Sequence, residues 1–285
     1  MLFRSIPMAL TVRTNVGALS AIRTLNNTQN SLTKSLGRVS SGSRINKAAD
    51  DAAGLSVSSR MMSDNVSLKA AMRNTNDGIS MIQTAEGGLN EVYSILTRMR
   101  ELSVQASNDT YSTTDRNQIS LEFNELRTEI SRISSDANFN RITILNSTKT
   151  LKFQIGINNA TNNQFSIKMS TVGASLKALA ISTKQVSIGK SSAFARAAIT
   201  KIDTALTSVN NKRARLGAYQ NRLESALNTA SNYSQNLSSA ASQISDVDYA
   251  SESANMTKFQ IMQQAGVAAL GQAKAIPQSV LSLLG

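Results

Sequence analysis

Residues 202–244 read IDTALTSVNNKRARLGAYQNRLESALNTASNYSQNLSSAASQI. Counted in alternating steps of four and three, Ile202, Leu206, Val209, Arg213, Leu216, Gln220, Leu223, Leu227, Ala230, Ser234, Leu237, Ala241 and Ile244 form one unbroken row, most of it apolar. Such a row is the seam of a coiled coil, a narrow stripe along one helix that needs partners of comparable length. At 1.5 Å per residue the helix would be roughly 65 Å long. No proline interrupts it, and Gly217 is its only glycine.

The rest of the composition suits long, thin packing. Of 285 residues only seven are Phe and five Tyr, with no Trp, which disfavours a thick core built on large rings. The two prolines, Pro7 and Pro277, stand near the ends and leave the intervening helices unbroken. Cysteine and histidine are both absent. Thiol chemistry, disulfides, Cys/His metal sites and imidazole catalysis are thereby excluded, so no enzyme activity and no cofactor are expected.

The net charge is +12, from 30 basic and 18 acidic residues. Counted in blocks, residues 1–60 and 181–240 each carry eight basic and two acidic groups, and the remainder sums to zero. The basic residues stand singly, without clusters or interleaved aromatics, as on solvated helix faces; a basic nucleic-acid-binding coiled coil is the alternative of a different class, and no nucleic-acid partner is expected. Met1 to Met8 is too short for a signal-peptide core, and no stretch reaches transmembrane length. Taken alone, that would suggest a cytoplasmic protein.

In chain order, a first amphipathic segment runs Ile22, Leu25, Gln29, Leu32, Leu36, Val39, a candidate partner for the C-terminal end. Ser40 to Ser43 interrupt it, and either Asp50 or Asp51 could accept hydrogen bonds from the first turn of the next helix. From Leu55 to about Ala106 one face carries Ile79, Ile82, Leu89, Val92, Leu96, Met99 and Leu102. Ser112, three residues before Asp115, opens another helix with the stripe Ile119, Phe123, Leu126, Ile130, Ile133, Ala137. Between Leu151 and Met169 the period becomes two, and the turn residues Asn158 to Asn163 make it a β-hairpin. A short apolar helix is expected at Leu176 to Ile181, before the long seam.

Ser40 to Leu55, SSGSRINKAADDAAGL, closely resembles the signature of bacterial flagellins. RNTNDGIS at 73–80, QTAEG at 83–87 and RMRELSVQ at 98–105 match that family in order and spacing, as does Phe139-Asn140. LGAYQNR at 216–222, DVDYA at 246–250, QQAG at 263–266 and PQSVLSLL at 277–284 match its C-terminal arm. The resemblance covers Met8 to Leu284 and is weaker between about 147 and 195.

The resemblance implies a mainly α fold: a long antiparallel helical bundle or coiled coil with paired N- and C-terminal helices and a small β-hairpin region. Residues 9–40 with 248–285 would form an inner terminal-helix domain, the filament core. Residues 41–247 would form an outer rod domain with a spoke at 41–54 and the hairpin region at about 147–190. Residues 1–8 stand outside this plan, because the family begins at the Met-Ala matched by Met8-Ala9. Only about 25 residues separate hairpin from long helix, so this is a short form without the large outer variable domains.

The function implied is that of a structural subunit polymerising into the bacterial flagellar filament, a passive propeller for swimming. A hook–filament junction or cap-like flagellar protein is the alternative. Implied partners are other copies of the chain in a helical homopolymer, the flagellar export apparatus and flagellin chaperone, and the junction and filament cap proteins. The expected location is extracellular, in the filament, reached by type III export without a cleaved signal. The polymerisation core would include Ile22, Leu25, Leu32 and Leu36 from the N-terminal arm. From the C-terminal arm it would include Phe259, Ile261, Met262, Leu270, Val280, Leu281 and Leu284. By resemblance, Arg98, Leu102 and Glu122 fall where the vertebrate flagellin-sensing Toll-like receptor is recognised. The C-terminal arm is almost uncharged, with Lys258 and Lys274 its only charges after Ala254. One helical partner would bury only one of its faces, so the arms are expected to order on assembly.

Overall fold

The structure, a computed structural model, describes residues 14–182 and 186–284, the side chains from 276 onward excepted. Residues 1–8 and the side chains of Val280, Leu281 and Leu284 therefore lie outside the described residues. Five helices account for most of the chain: α1 Val16–Ser41, α2 Ala52–Ala106, α3 Thr113–Asp136, α4 Ser192–Ser245 and α5 Tyr249–Leu284. Two antiparallel hairpins lie between α3 and α4: β1 Asn138–Phe139 with β2 Ile142–Thr143, and β3 Thr150–Gln154 with β4 Gln164–Lys168. The chain forms two compact units. One combines the residues up to Ser63 with those from Leu237 onward; the other is Asp64–Asn236. The division falls within the residue ranges of α2 and α4.

In the unit holding both termini, Asn15 caps α1 by accepting from the Ala18 amide at 3.0 Å, and Gly42, at φ 71°, ends it in the left-handed conformation. The spoke is stitched to the end of α4. Ser43 bridges to Asp246, the Arg44 amide donates to Ser245 O at 2.7 Å, and the Val247 amide donates to Gly42 O at 3.0 Å. The two aspartates divide their work. Asp51 caps α2 by accepting from the Gly54 amide at 2.8 Å, whereas Asp50 accepts from the amides of Asn46 and Lys47 and pairs with Lys34 at 2.7 Å.

In the other unit, α2 and α4 run antiparallel. Arg100 pairs with Asp203 at 2.6 Å, Arg213 with Glu86 at 3.8 Å, and Ser234 donates to Asn65 at 2.6 Å, so the sequence numbers of facing residues rise on one helix as they fall on the other. Within this unit the seam positions Ile202, Val209, Leu216, Leu223, Ala230 and Ser234 are buried, and Leu206, Arg213, Gln220 and Leu227 are half-buried. They meet the α2 stripe Ile82, Leu89, Val92, Leu96, Met99 and Leu102, all buried.

The third helix starts as its sequence implies: the Ser112 side chain accepts from the Asp115 amide while Asp115 accepts from the Ser112 amide. Asn108 and Asp109 mark the end of α2 in the sequence, and a side chain of α3 satisfies its last carbonyls. Arg116, 8 % exposed, donates from Nε to Ala106 O and from Nη2 to Asn108 O, both at 3.0 Å, setting a cation on the helix's free carbonyls. The β3–β4 hairpin pairs Phe153 with Phe165 and points Phe165, Ile167 and Met169 into the core. Phe165 meets Tyr219 edge-to-face at 5.6 Å, under the Arg222 guanidinium at 4.9 Å.

One local expectation is corrected, and one short element is added. Leu176 to Ile181 is a turn, not a helix: Ala180 takes φ 55° and the Ile181 amide closes onto Leu176 O, burying Leu179 and Ile181 without a helical face to share. The β1–β2 hairpin was not anticipated. Its turn puts Asn140 and Arg141 at φ 48° and 63°, a conformation asparagine tolerates and arginine seldom adopts.

Candidate functional site

The two terminal helices run antiparallel along their length. Asn15 donates to Ala273 O at 2.7 Å, Gln263 to Gln29, and the Tyr249 hydroxyl to Val39 O. Along α1 the inward row is Ala18, Ala21, Leu25, Thr28, Leu32, Ser35 and Val39, flanked by half-buried Ser31 and Arg38; along α5 it is Glu252, Met256, Phe259, Gln263, Gly266, Leu270 and Ala273, flanked by half-buried Ser253. Both sets keep the alternating three-four spacing of a heptad seam. Small residues bring the axes together: a Cβ built on Gly266 would lie 3.2 Å from Leu25 Cδ1.

This seam is rotated from the stripe read in the sequence. Ile22 and Leu36 stand outside it, at 38 % and 55 % exposure, because Ala18, Thr28 and Ser35 occupy the inner row. Ile261 and Met262, at 61 % and 41 %, are likewise outside, whereas Phe259, Leu270, Leu25 and Leu32 contribute to the pairing itself. With Val16, Leu19 and Val267, the outward residues leave exposed apolar side chains on helices that have already paired. Of these seam positions, Glu252 alone carries an ion pair among the described residues, with Arg38 of α1 at 3.7 Å.

The second group of expected site residues behaves differently. Arg98 on α2 donates from Nε to Glu122 Oε1 on α3 at 2.9 Å and from Nη1 to Glu101 at 3.0 Å, and those carboxylates raise its pKa. Arg98 and Glu122 are exposed. Leu102, one turn further along α2, is buried in the core at 2 % exposure and offers no contact surface. Among the described residues no three carboxylates gather in a way that could hold a metal ion, and no helix is long and apolar enough to cross a membrane.

Two family models match: the bacterial flagellin N-terminal helical region over residues 12–150 and the C-terminal helical region over 199–284. The chain belongs to the bacterial flagellin family. It is 41% identical to a flagellin of Halalkalibacterium halodurans over 271 residues, covering 95% of this chain and 98% of that one. The flagellar filament 33 kDa core protein of Treponema phagedenis is also 41% identical, over 281 residues with the same coverage. Such coverage at both ends leaves no room for a large variable domain in either relative, so the short form is a shared one. A putative flagellar hook-associated protein from Vibrio parahaemolyticus is similar in fold at TM-score 0.55 and 14% identity, covering 69% of this chain and all of that one. The flagellin subunit described here is thus a structural protein of the flagellar filament, and its motif blocks at 40–55, 73–105 and 216–284 fall within or beside the matched regions.

Proposed function

We propose that α1 and α5 are the filament-forming element, with Ile22, Leu25, Leu32, Leu36, Phe259, Ile261, Met262, Leu270, Val280, Leu281 and Leu284 as the polymerisation core. The observation that carries this is the apolar surface that remains once the two helices have paired. Exposed apolar side chains gathered on one pair of helices are costly for an isolated chain and mark a site of association. In a helical homopolymer the neighbouring copies cover it, and the near absence of charge on α5 means little has to be desolvated. The terminal unit would line the filament, and Asp64–Asn236 would form its outer part. We further propose that the subunit leaves the cell through the flagellar export apparatus, with its chaperone, without a cleaved signal, and that assembly proceeds against the junction and cap proteins. The test is seeded elongation followed by electron microscopy. The full chain should extend filament seeds into long tubes, and a chain lacking residues 254–285 should remain a soluble helical monomer. Filaments built by the truncated chain would refute the assignment.

A further inference from the structure

The densest positive charge lies in the middle of the chain. Between Asp136 and Asp203 the chain carries nine Lys and Arg and no acidic residue, and residues 137–223 together hold thirteen basic groups against one acid, a surplus of twelve; residues 1–60 add six more and the remaining segments take six away. The middle of this segment is the β3–β4 hairpin. Its inner row, Leu151, Phe153, Phe165 and Ile167, packs on the core; its outer row presents Thr150, Lys152, Ser166 and Lys168. The register sets Lys152 opposite Ser166 and Thr150 opposite Lys168, so the two lysines are diagonal neighbours on one face, roughly 7–8 Å apart at the backbone. Lys149 precedes β3 and is held by the Met169 amide donating to its carbonyl at 2.9 Å. The β1–β2 turn that carries Arg141 stands beside them: Asn140 and Ile142 line a groove of about 420 Å³ together with Lys152, across from Asp77. Lys149, Lys152, Lys168 and Arg141 are exposed and make no ion pair among the described residues.

Like charges at neighbouring cross-strand positions repel. Each copy added to a homopolymer brings a further +12, so the polymer's positive field grows with its length and favours anionic partners. The partner's chemistry follows from the face. Three of the four groups are lysines, compact point charges suited to phosphate, where a carboxylate-bearing partner would be matched better by paired arginine forks. No exposed aromatic side chain stands among them, so bases have nothing to stack on. The β3–β4 backbone ladder fixes Lys152 and Lys168 on one face.

We infer that the outer face of the β3–β4 hairpin, with Arg141, is a docking surface for an anionic phospholipid membrane. The inference rests on the filament reading for its strength, since a polymer repeats the face and multiplies a weak contact. Each basic group near such a surface contributes about five-fold in binding, so four together account for up to about six-hundred-fold.

The test is co-sedimentation of the full chain, as monomer and as seeded filament, with phosphatidylcholine vesicles that contain or lack phosphatidylglycerol. A combined Arg141→Gln, Lys149→Gln, Lys152→Gln, Lys168→Gln variant is compared with an equal-charge control, Arg60→Gln, Lys69→Gln, Arg73→Gln, Lys201→Gln. The expected result is preference for the anionic vesicles, at least tenfold weaker binding by the hairpin variant, less than twofold change in the control, and loss of binding between about 0.1 M and about 1 M salt as the screening length falls from about 10 to 3 Å. Equal losses in both variants, no preference for anionic vesicles, or retention on a uronic-acid polysaccharide with none on vesicles would each overturn it. Monomer that binds vesicles but never elongates seeds would refute the filament reading and leave this one standing.

Discussion

Gly88 of α2 faces Leu145 so closely that a Cβ built on the glycine would stand 2.8 Å from Leu145 Cδ1, in a core where Leu145 is fully buried. Its neighbour Gly87 has open space on the same test. Replacing either glycine by alanine gains about 1 kcal/mol of helix propensity. At position 88 that gain is set against about 1–3 kcal/mol of overpacking. Gly87→Ala should therefore raise the urea midpoint, and Gly88→Ala should fall at least about 1 kcal/mol below it. Equal midpoints would show that Leu145 moves aside freely.

The outward apolar residues of α5 should matter to assembly and not to the single chain. Ile261→Asp and Val267→Asp change exposed positions, where substitutions move stability by about 0.5 kcal/mol or less. Both should leave monomer helicity and melting nearly unchanged while abolishing seeded elongation. Hydrogen exchange should also be fast in α1 and α5 of the monomer and slow in the filament, because pairing covers one face of each helix and Leu25, Leu32, Phe259 and Leu270 are only half-buried in it. Protection of these helices in the free monomer would contradict this.

Arg98 and Leu102 lie one turn apart and should fail in different ways. Leu102→Ala removes a buried side chain and should cost about 2–5 kcal/mol, read as a lower midpoint. Arg98→Ala removes an exposed group and should barely move the midpoint. If the exposed Arg98–Glu122 pair is the receptor contact, Arg98→Ala with Glu122→Ala lowers the response of cells reporting on the flagellin-sensing receptor. An unchanged response would remove both positions from that role.

Acid should weaken the spoke. Lys34 foremost, with the amides of Asn46 and Lys47, holds the Asp50 carboxyl below the usual carboxylate range; Ser112 does the same for Asp115, and Ser192 for Asp109. A carboxyl lowered in the folded state contributes stability in full above its unfolded value, near 3.9, and loses it as pH falls through the folded value. Stability should thus be flat from about pH 5 to 8, the chain having no histidine, and should fall below about pH 4. Asp50→Asn should make that fall shallower. An unchanged acid limb would mean that the pair with Lys34 survives unfolding.

Periodicity and short-range chemistry were legible in the one-dimensional chain. The seam from Ile202 onward is buried or half-buried at each of its positions, Ser112 and Asp115 cap α3 reciprocally, and Phe165, Ile167 and Met169 alternate inward as a period of two requires. These follow from backbone geometry within a turn or two, so the residues themselves determine them. Contacts between distant segments were not legible. Which of Asp50 and Asp51 caps α2 depends on Lys34, and which face of α1 turns inward depends on Gly266 letting Leu25 approach. Ile22 and Leu36 look like core residues to a periodic count, and only the close packing of α5 against the small residues of α1 leaves them outside. Arg116 reads as a surface charge until the end of α2 is brought to it. Local periodicity selects the elements, whereas the mutual approach of two helices far apart in the chain decides which apolar face is spent on the fold and which is left for assembly.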